Sequence, residues 1–369
     1  MNRLRLAIIG AGHLGRIHAR IAADLDDIQL VAVVDPAEAA RQSVAQEAHT
    51  RGVGDYRELI GEIDAAIVAT PTTTHHAVCT ELLASGIPLF VEKPLTPTSA
   101  EADELVSLAR RQGLALQVGH VERFNPALAS VASELRDPKY IQATRASGYT
   151  FRSTDIGVVL DMMVHDIDVV LSLARSPVED VRALGISVLG GHEDIATAWL
   201  TFGSGCVAQL TASRTSFQQR RTMNVFTSRL SASINFATHE ATVVRPREDV
   251  LRREFHAEGL SPDERDYCKE HLFDELLVRT QQTAPPVNAI EEEQRDFVRA
   301  IRTGKPPRVD GAAGRDAVAV AEMILRQIEA HAWDGMSAGR LGPLAMPALP
   351  IVAGTTVPNL EREPRRRAG

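Results

Sequence analysis

The feature that most restricts the fold of this chain is the run "RLAIIGAGHLG", residues 5 to 15, together with the segments on its C-terminal side. A short apolar strand runs into Gly10-Ala11-Gly12-His13-Leu14-Gly15, and "LGRIHARIAADL" then carries the periodicity of an amphipathic helix. A second apolar strand, "IQLVAVVD", ends at Asp35, 20 residues beyond Gly15. Strand, G-x-G-x-x-G, helix, strand and acid in that register form the dinucleotide fingerprint. The glycines permit a tight turn and bring backbone amides to a pyrophosphate at the helix N-terminus, while a carboxylate at Asp35 can accept both ribose hydroxyls. That carboxylate repels the 2'-phosphate of NADP, and Pro36 stands where an arginine would receive it, so NAD is the expected cofactor. Arg41 lies close enough in sequence to keep NADP as the second reading.

The alternation continues through "AAIVAT", "PLFVEKP" and "LALQVG". Continuous apolar strands with helical crossovers predict a doubly wound parallel sheet, here over residues 1 to 121. Ligands of such sheets bind beyond the carboxyl ends of the strands, which directs attention to "TPTTTHH" (residues 70 to 76) and to Glu92-Lys93-Pro94. Proline disfavours helix at the residue before it, so Lys93 is held extended at a strand's end and aimed at the crevice. A solvated lysine in an ordinary proline turn is the alternative that this motif alone leaves open. The cofactor candidates are Gly10, Gly12, His13, Leu14, Gly15, Asp35, Thr70, Pro71, Thr72, His75, Glu92 and Lys93.

In "LDMMVHDID", residues 160 to 168, the apolar residues Leu160, Met163, Val164 and Ile167 recur at helical spacing, and the pattern runs on to Leu171 and Ala174. Asp161, His165 and Asp168 recur at the same spacing between two apolar faces, which predicts one continuous helix carrying a narrow polar stripe. The fingerprint, "TPTTTHH", "EKP", "VGHVERFNP" and "LDMMVHDID", in this order, resemble the Gfo/Idh/MocA family of NAD(P)-dependent oxidoreductases over residues 3 to 332. The resemblance implies a Rossmann domain followed by an α/β domain with a large, mostly antiparallel sheet, and it places the functional residues on Lys93, Asp161 and His165. Chemistry agrees with that assignment. Oxidising a secondary alcohol needs a base for the hydroxyl proton, and an imidazole changes charge near neutral pH, so His165 is the candidate base. Asp161, one turn earlier, is expected to orient the ring, and Lys93 to polarise the alcohol oxygen.

The second domain is expected over residues 122 to 332. "KYIQATRASGYT", "VRALGISVLG", "DIATAWLTF", "GCVAQLTASR", "MNVFTS" and "LSASINF" read as strands of an antiparallel sheet. Helices are predicted over Ala289 to Thr303 and Ala312 to Ala330, packing back on the first domain, with a flexible tail over residues 333 to 369. Too few helices are available to cover both faces of the sheet, and the resemblance implies a homodimer or homotetramer built through the bare one.

"VGHVERFNP" and "MMVHDID" are most similar to the branch of the family that acts on nucleotide-activated amino sugars, the UDP-N-acetylglucosamine 3-dehydrogenases. This implies oxidation of a C3 hydroxyl to a ketone that a partner aminotransferase can use. His120, Arg123, Asn125 and Arg214 are the substrate-binding candidates, with salt bridges as the alternative role of the arginines. Another sugar or a cyclitol such as inositol, an NAD-dependent retaining glycosidase, and a non-catalytic NAD sensor are the alternatives. The net charge of -8 argues against a nucleic-acid partner. Cys79, Cys206 and Cys268 lack metal-ligand spacing, so no metal is expected, and the absence of a leader or a long apolar run leads to a cytoplasmic expectation.

Overall fold

A computed structural model describes residues 2–151, 154–284, 287–333 and 340–345. The N-terminal part holds six parallel strands: β1 (Leu4–Ile9), β2 (Ile28–Val34), β3 (Arg51–Val53), β4 (Ala65–Val68), β5 (Leu89–Val91) and β6 (Leu116–Val118). Their order is β3-β2-β1-β4-β5-β6. The helices between them are α1 (His13–Asp24), α2 (Glu38–Glu47), α3 (Thr72–Ala84) and α4 (Ser99–Gln112). β4, β5 and β6 are buried along their whole length, which explains why they read as unbroken apolar runs. β3 was not legible in sequence, because three residues of which one is exposed carry no periodicity. Strand order reverses between β1 and β4, so a crevice opens beyond their carboxyl ends.

After α5 (Pro126–Val131) and β7 (Tyr140–Ala146), the chain forms the helix α6 (Val164–Ala174). It then lays down β8 (Val178–Ile186), β9 (Ile195–Phe202), β10 (Val207–Ser213), β11 (Arg220–Phe226), β12 (Ser231–Asn235) and β13 (Glu240–Pro246). An excursion through α7 (Glu248–Leu251) and α8 (Pro262–Glu270) precedes the edge strand β14 (Leu277–Thr283). The sheet runs β14-β13-β12-β11-β7-β10-β9-β8 and is antiparallel throughout except for the parallel β7–β10 pair. β13 and β14 go beyond the six strands expected. β14, "LVRTQQT", is too polar to announce itself.

One face of this sheet is packed by α5, α6 and a long helix, α10 (Gly311–Ala330), while α9 (Ala289–Thr303) returns to the first domain. Phe297 of α9 meets Phe90 of β5 with ring centroids 6.0 Å apart. The opposite face carries Tyr140, Gln142, Thr197, Gln209 and Thr211, all half-buried, with Trp199 and Phe226 each 40% exposed. Part of the expected tail is held down: Trp333 Nε1 donates to the Gly342 carbonyl at 2.9 Å, and Ser187 N donates to Pro343 O at 3.0 Å. Residues 334–339 and 346–369, on which the rest of that expectation falls, lie outside the described residues. Among the described residues no helix is long and apolar enough to cross a membrane, and no cluster of three His, Cys, Asp or Glu is placed to hold a metal.

Candidate active site

The glycine loop is shaped by contacts that exclude side chains. Gly10 has φ +107°, and a Cβ there would lie 2.5 Å from the Ala69 carbonyl oxygen; one on Gly15 would lie 1.9 Å from that of Gly10. Gly12 differs, because the space where its Cβ would stand is open. α1 begins at His13 with no side chain capping its first amides. Open space at Gly12, uncapped amides and a nearby carboxylate fit the pyrophosphate and ribose of a dinucleotide. Asp35 Oδ2 accepts from Ala11 N at 2.9 Å and Oδ1 from Ala37 N at 2.9 Å, which fixes the carboxylate at the loop. A cavity of about 640 Å³ is lined by Gly10, Gly12, Asp35, Thr70 and Pro71. It shares Thr70 and Pro71 with a second of about 260 Å³, lined by Leu14, Thr72, Glu92, Lys93 and Asp161.

Arg41 Nη1 donates to the Pro36 carbonyl at 3.1 Å, beside Asp35, so the two sequence-based arguments about the ribose meet at one place. Asp35→Ser combined with Pro36→Arg is expected to move cofactor preference from NAD toward NADP. The measurement is kcat/KM with each cofactor, and equal use of NADP by the unmodified protein contradicts it.

His75 does not face the cleft. Its Nε2 lies 2.9 Å from Thr70 O and its Nδ1 3.0 Å from Pro94 O, so the ring ties together the two loops that form the wall, and it is a buried support rather than a cofactor contact. His13 is exposed on the first turn of α1. Glu92 is buried and meets His18 Nε2 at 2.7 Å, while Gln294 of α9 lies 3.0 Å from His18 Nδ1. Burial works to raise the Glu92 carboxyl, but the His18 hydrogen bond and charge outweigh it and hold it below the usual range. His18 was missed in the sequence, although an imidazole among the buried residues of α1 is an anomaly that signals a partner.

Lys93, followed by a cis bond to Pro94, reaches across to the second domain. Its Nζ donates to the Asp161 carbonyl oxygen at 2.6 Å and lies 3.5 Å from Asp161 Oδ1. The predicted continuous α-helix is interrupted here: Val159–Met163 form a π-helical turn, with Val164 N–H reaching back to Val159 O, before α6 begins. The Lys93 ammonium holds the carbonyl that would otherwise accept from His165 N–H, and a side chain inserted into the helical ladder is a recognised cause of such a bulge. Glu193 Oε1 accepts from Val159 N at 3.1 Å and anchors the start of the turn. Asp161 therefore faces Lys93, not His165, and the expectation that it orients the imidazole is corrected.

His165 is half-buried, and its Nδ1 has no partner among the described residues. Burial, then the positive charges of Lys93 and Arg145, hold its pKa well below the imidazole range, so the ring is neutral at physiological pH with a lone pair free. The next residue, Asp166, is buried against Arg145 of β7 through contacts of 3.0 and 2.8 Å, and Arg145 Nη1 reaches Glu122 Oε1 at 2.8 Å. This triad locks α6 to the sheet and was not read from sequence.

The four substrate candidates divide. Asn125 Oδ1 caps α5 at Ala127 N (3.1 Å), and its Nδ2 donates to Phe236 O (3.0 Å) and Glu122 Oε2 (3.1 Å), so it is a structural residue. Arg214 is buried with Nε 2.7 Å from Asp194 Oδ1 and Nη1 2.8 Å from Ile156 O, supporting the segment that lines the smaller cavity. Arg123 pairs with Asp168 at 3.2 Å. His120 is 1% exposed, and neither of its ring nitrogens has a partner among the described residues.

Residues 4–120 match the family described as "Oxidoreductase family, NAD-binding Rossmann fold", and residues 127–233 the "GFO/IDH/MocA C-terminal domain". The chain is 32% identical to UDP-N-acetylglucosamine 3-dehydrogenase of Acidithiobacillus ferrooxidans over 89% of this chain and 99% of that one, and the solved structure of that enzyme superposes with a TM-score of 0.78. It is 31% identical to scyllo-inositol 2-dehydrogenase (NAD(+)) of Bacillus subtilis over 58% of this chain and 68% of the relative. A levoglucosan dehydrogenase solved with NADH and levoglucosan, 16% identical over 88% of this chain and 97% of that one, shares the fold with a TM-score of 0.74. With both domain matches and a relative aligned from end to end, the chain belongs to the Gfo/Idh/MocA family of NAD-binding oxidoreductases.

Proposed function

We propose that this dehydrogenase oxidises a secondary hydroxyl of a sugar, with the C3 hydroxyl of UDP-N-acetylglucosamine as its target. The observation that carries the chemistry is the meeting of Lys93, from the cofactor domain, with the helix turn that bears Asp161 and His165. The nucleotide-sugar substrate rests on the relative aligned across nearly its whole length. Bound NAD supplies the acceptor for the hydride that leaves the carbinol carbon. Gly10, Gly12 and Asp35 are the residues to hold it. Lys93 donates to the substrate oxygen and stabilises it as its proton leaves, and neutral His165 takes that proton. Asp161 positions the Lys93 ammonium.

The experiment is a panel of UDP-N-acetylglucosamine, free sugars and cyclitols assayed for NADH. NADH from UDP-N-acetylglucosamine is expected. NADH from scyllo-inositol alone favours the cyclitol reading suggested by the Bacillus relative, and glycoside cleavage without net NADH favours the glycosidase. A 3-keto amino sugar is suited to an aminotransferase as its consumer.

The sheet face carrying Trp199 and Phe226 is proposed to be covered by a second copy of the chain. Light scattering at micromolar concentration should give a dimer or tetramer mass, and a monomer refutes the assembly.

A further inference from the structure

Seven buried side-chain polar atoms have no protein partner among the described residues: Gln117 Oε1, both ring nitrogens of His120, His165 Nδ1, Asp168 Oδ2, Glu293 Oε1 and Gln294 Oε1. They are not scattered. Gln117 Nε2 donates to Glu293 O at 2.8 Å, Gln294 leads through His18 to Glu92, and a Cβ on Gly119, next to His120, would lie 3.0 Å from the Glu92 carboxylate. Asp168 bears electrostatically on both His120 and Glu293. Buried polar groups are almost always paired with protein or ordered water, so unpaired atoms on neighbouring residues call for water between them. His165 lies about one helical turn from Asp168 on α6, and the other oxygen of Asp168 meets Arg123 at 3.2 Å on the turn that His120 opens.

We propose that His120 and Asp168 form an inner proton acceptor for His165, reached through ordered water that these unpaired atoms would hold. The proposal rests on the reading of His165 as the base. In the forward step the substrate O–H breaks and Nε2–H forms on His165, while bound NAD would accept the hydride of the carbinol carbon. In the same step the Nδ1–H breaks, and its proton passes by way of His120 to the free oxygen of Asp168. After the ketone leaves, Nε2–H is lost to solvent and the stored proton returns to Nδ1, so each NADH releases one proton. A store is needed because burial and the cations Lys93, Arg145 and Arg221 disfavour charge on His165. His120 opens the turn that carries Arg123, whose guanidinium meets Asp168 of α6 at 3.2 Å, and the charges of Asp168, Lys93, Arg123 and Glu92 all bear on its ring. Burial holds it neutral, ready to accept and pass a proton. His120 and Asp168 are positioning residues, acting through His165.

The test is a proton inventory on single-turnover NADH formation, with UDP-N-acetylglucosamine, or scyllo-inositol should that be the sugar oxidised. In the wild type the rate should curve with the deuterium fraction of the solvent, because more than one proton moves. His120→Gln, which keeps size and hydrogen bonding but cannot relay, should give a linear inventory and a rate lowered about 10-fold, short of the roughly 10²-fold floor for losing the base itself. KM and NAD affinity should hold. A linear inventory or no isotope effect in the wild type overturns the relay, as does an unchanged rate, or a parallel loss of NAD binding, in His120→Gln. The wild-type measurement stands even where the variant fails to fold. Failure of the base is read separately, as retained turnover in His165→Ala.

Discussion

Replacing His165 with alanine, or Lys93 with methionine, lowers kcat by about 10²- to 10⁴-fold, the usual range for a lost acid or base. NAD affinity, measured by fluorescence titration, is expected to stay within about 2-fold for His165→Ala, because this side chain lies on the second domain, apart from the glycine loop and Asp35 proposed to hold the dinucleotide. Near-normal turnover in His165→Ala makes the imidazole a wall residue and removes the mechanism. The pH profile offers a second check. With His165 held well below the imidazole range, the acid limb of kcat/KM falls at lower pH than for a free histidine. Arg221 is an exposed cation that contributes to this depression, so Arg221→Gln is expected to raise the His165 pKa and move the acid limb upward.

Arg145→Met is expected to cost about 3–5 kcal/mol of stability, because it strands the carboxylates of Asp166 and Glu122 in the interior. Arg145→Lys should recover only part of this, since an ammonium cannot reproduce the two-pronged contact with Asp166 while also reaching Glu122. Burial already holds the Asp166 carboxyl above its ordinary range in spite of Arg145. A group whose folded pKa is raised adds stability below its unfolded pKa and loses it as pH rises through the folded one. Removing the cation raises that pKa further, so the deficit of Arg145→Met should be larger at neutral than at acidic pH. Urea denaturation at both pH values measures this, and a loss below about 1 kcal/mol means that the triad is not what holds α6 to the sheet.

The parts of the site that lie within one stretch of chain were legible, and the parts that depend on a distant partner were not. The glycine loop and Asp35 are fixed by local turn chemistry and a single βαβ unit, so their spacing in the sequence is their spacing in the fold. Asp161 lies on the π-helical turn that lines the smaller cavity, and His165 follows on the first turn of α6. The error lay in pairing them: the four-residue spacing assumes an undisturbed α-helix, whereas Lys93, 68 residues away, takes the Asp161 carbonyl and turns that segment into a π-helix. Arg214 and Asn125 have residue types suited to phosphate and hydroxyl recognition, but Asp194 and the α5 amide claim them, and nothing local announces either partner. β14 escaped notice because a part-exposed edge strand lacks the apolar alternation that marks the centre, whereas β13 alternates only through Ala241 and Val243, too briefly to stand out.

The hydrogen bond between Gln294 and His18 spans 276 residues of chain. At ribosomal speeds of about 5–20 residues per second, the N-terminal sheet waits roughly 15–55 seconds for the amide that completes the pairing of its buried imidazole. Phe297, which covers Phe90, arrives equally late. A nascent chain halted anywhere before α9 therefore exposes an unfinished cofactor domain, and the usual economy of folding one domain while the next is being made is denied to this protein. Truncations that stop near residue 121 should be poorly soluble, and recombinant yield should depend on chaperones that shelter the first half until the last hundred residues emerge.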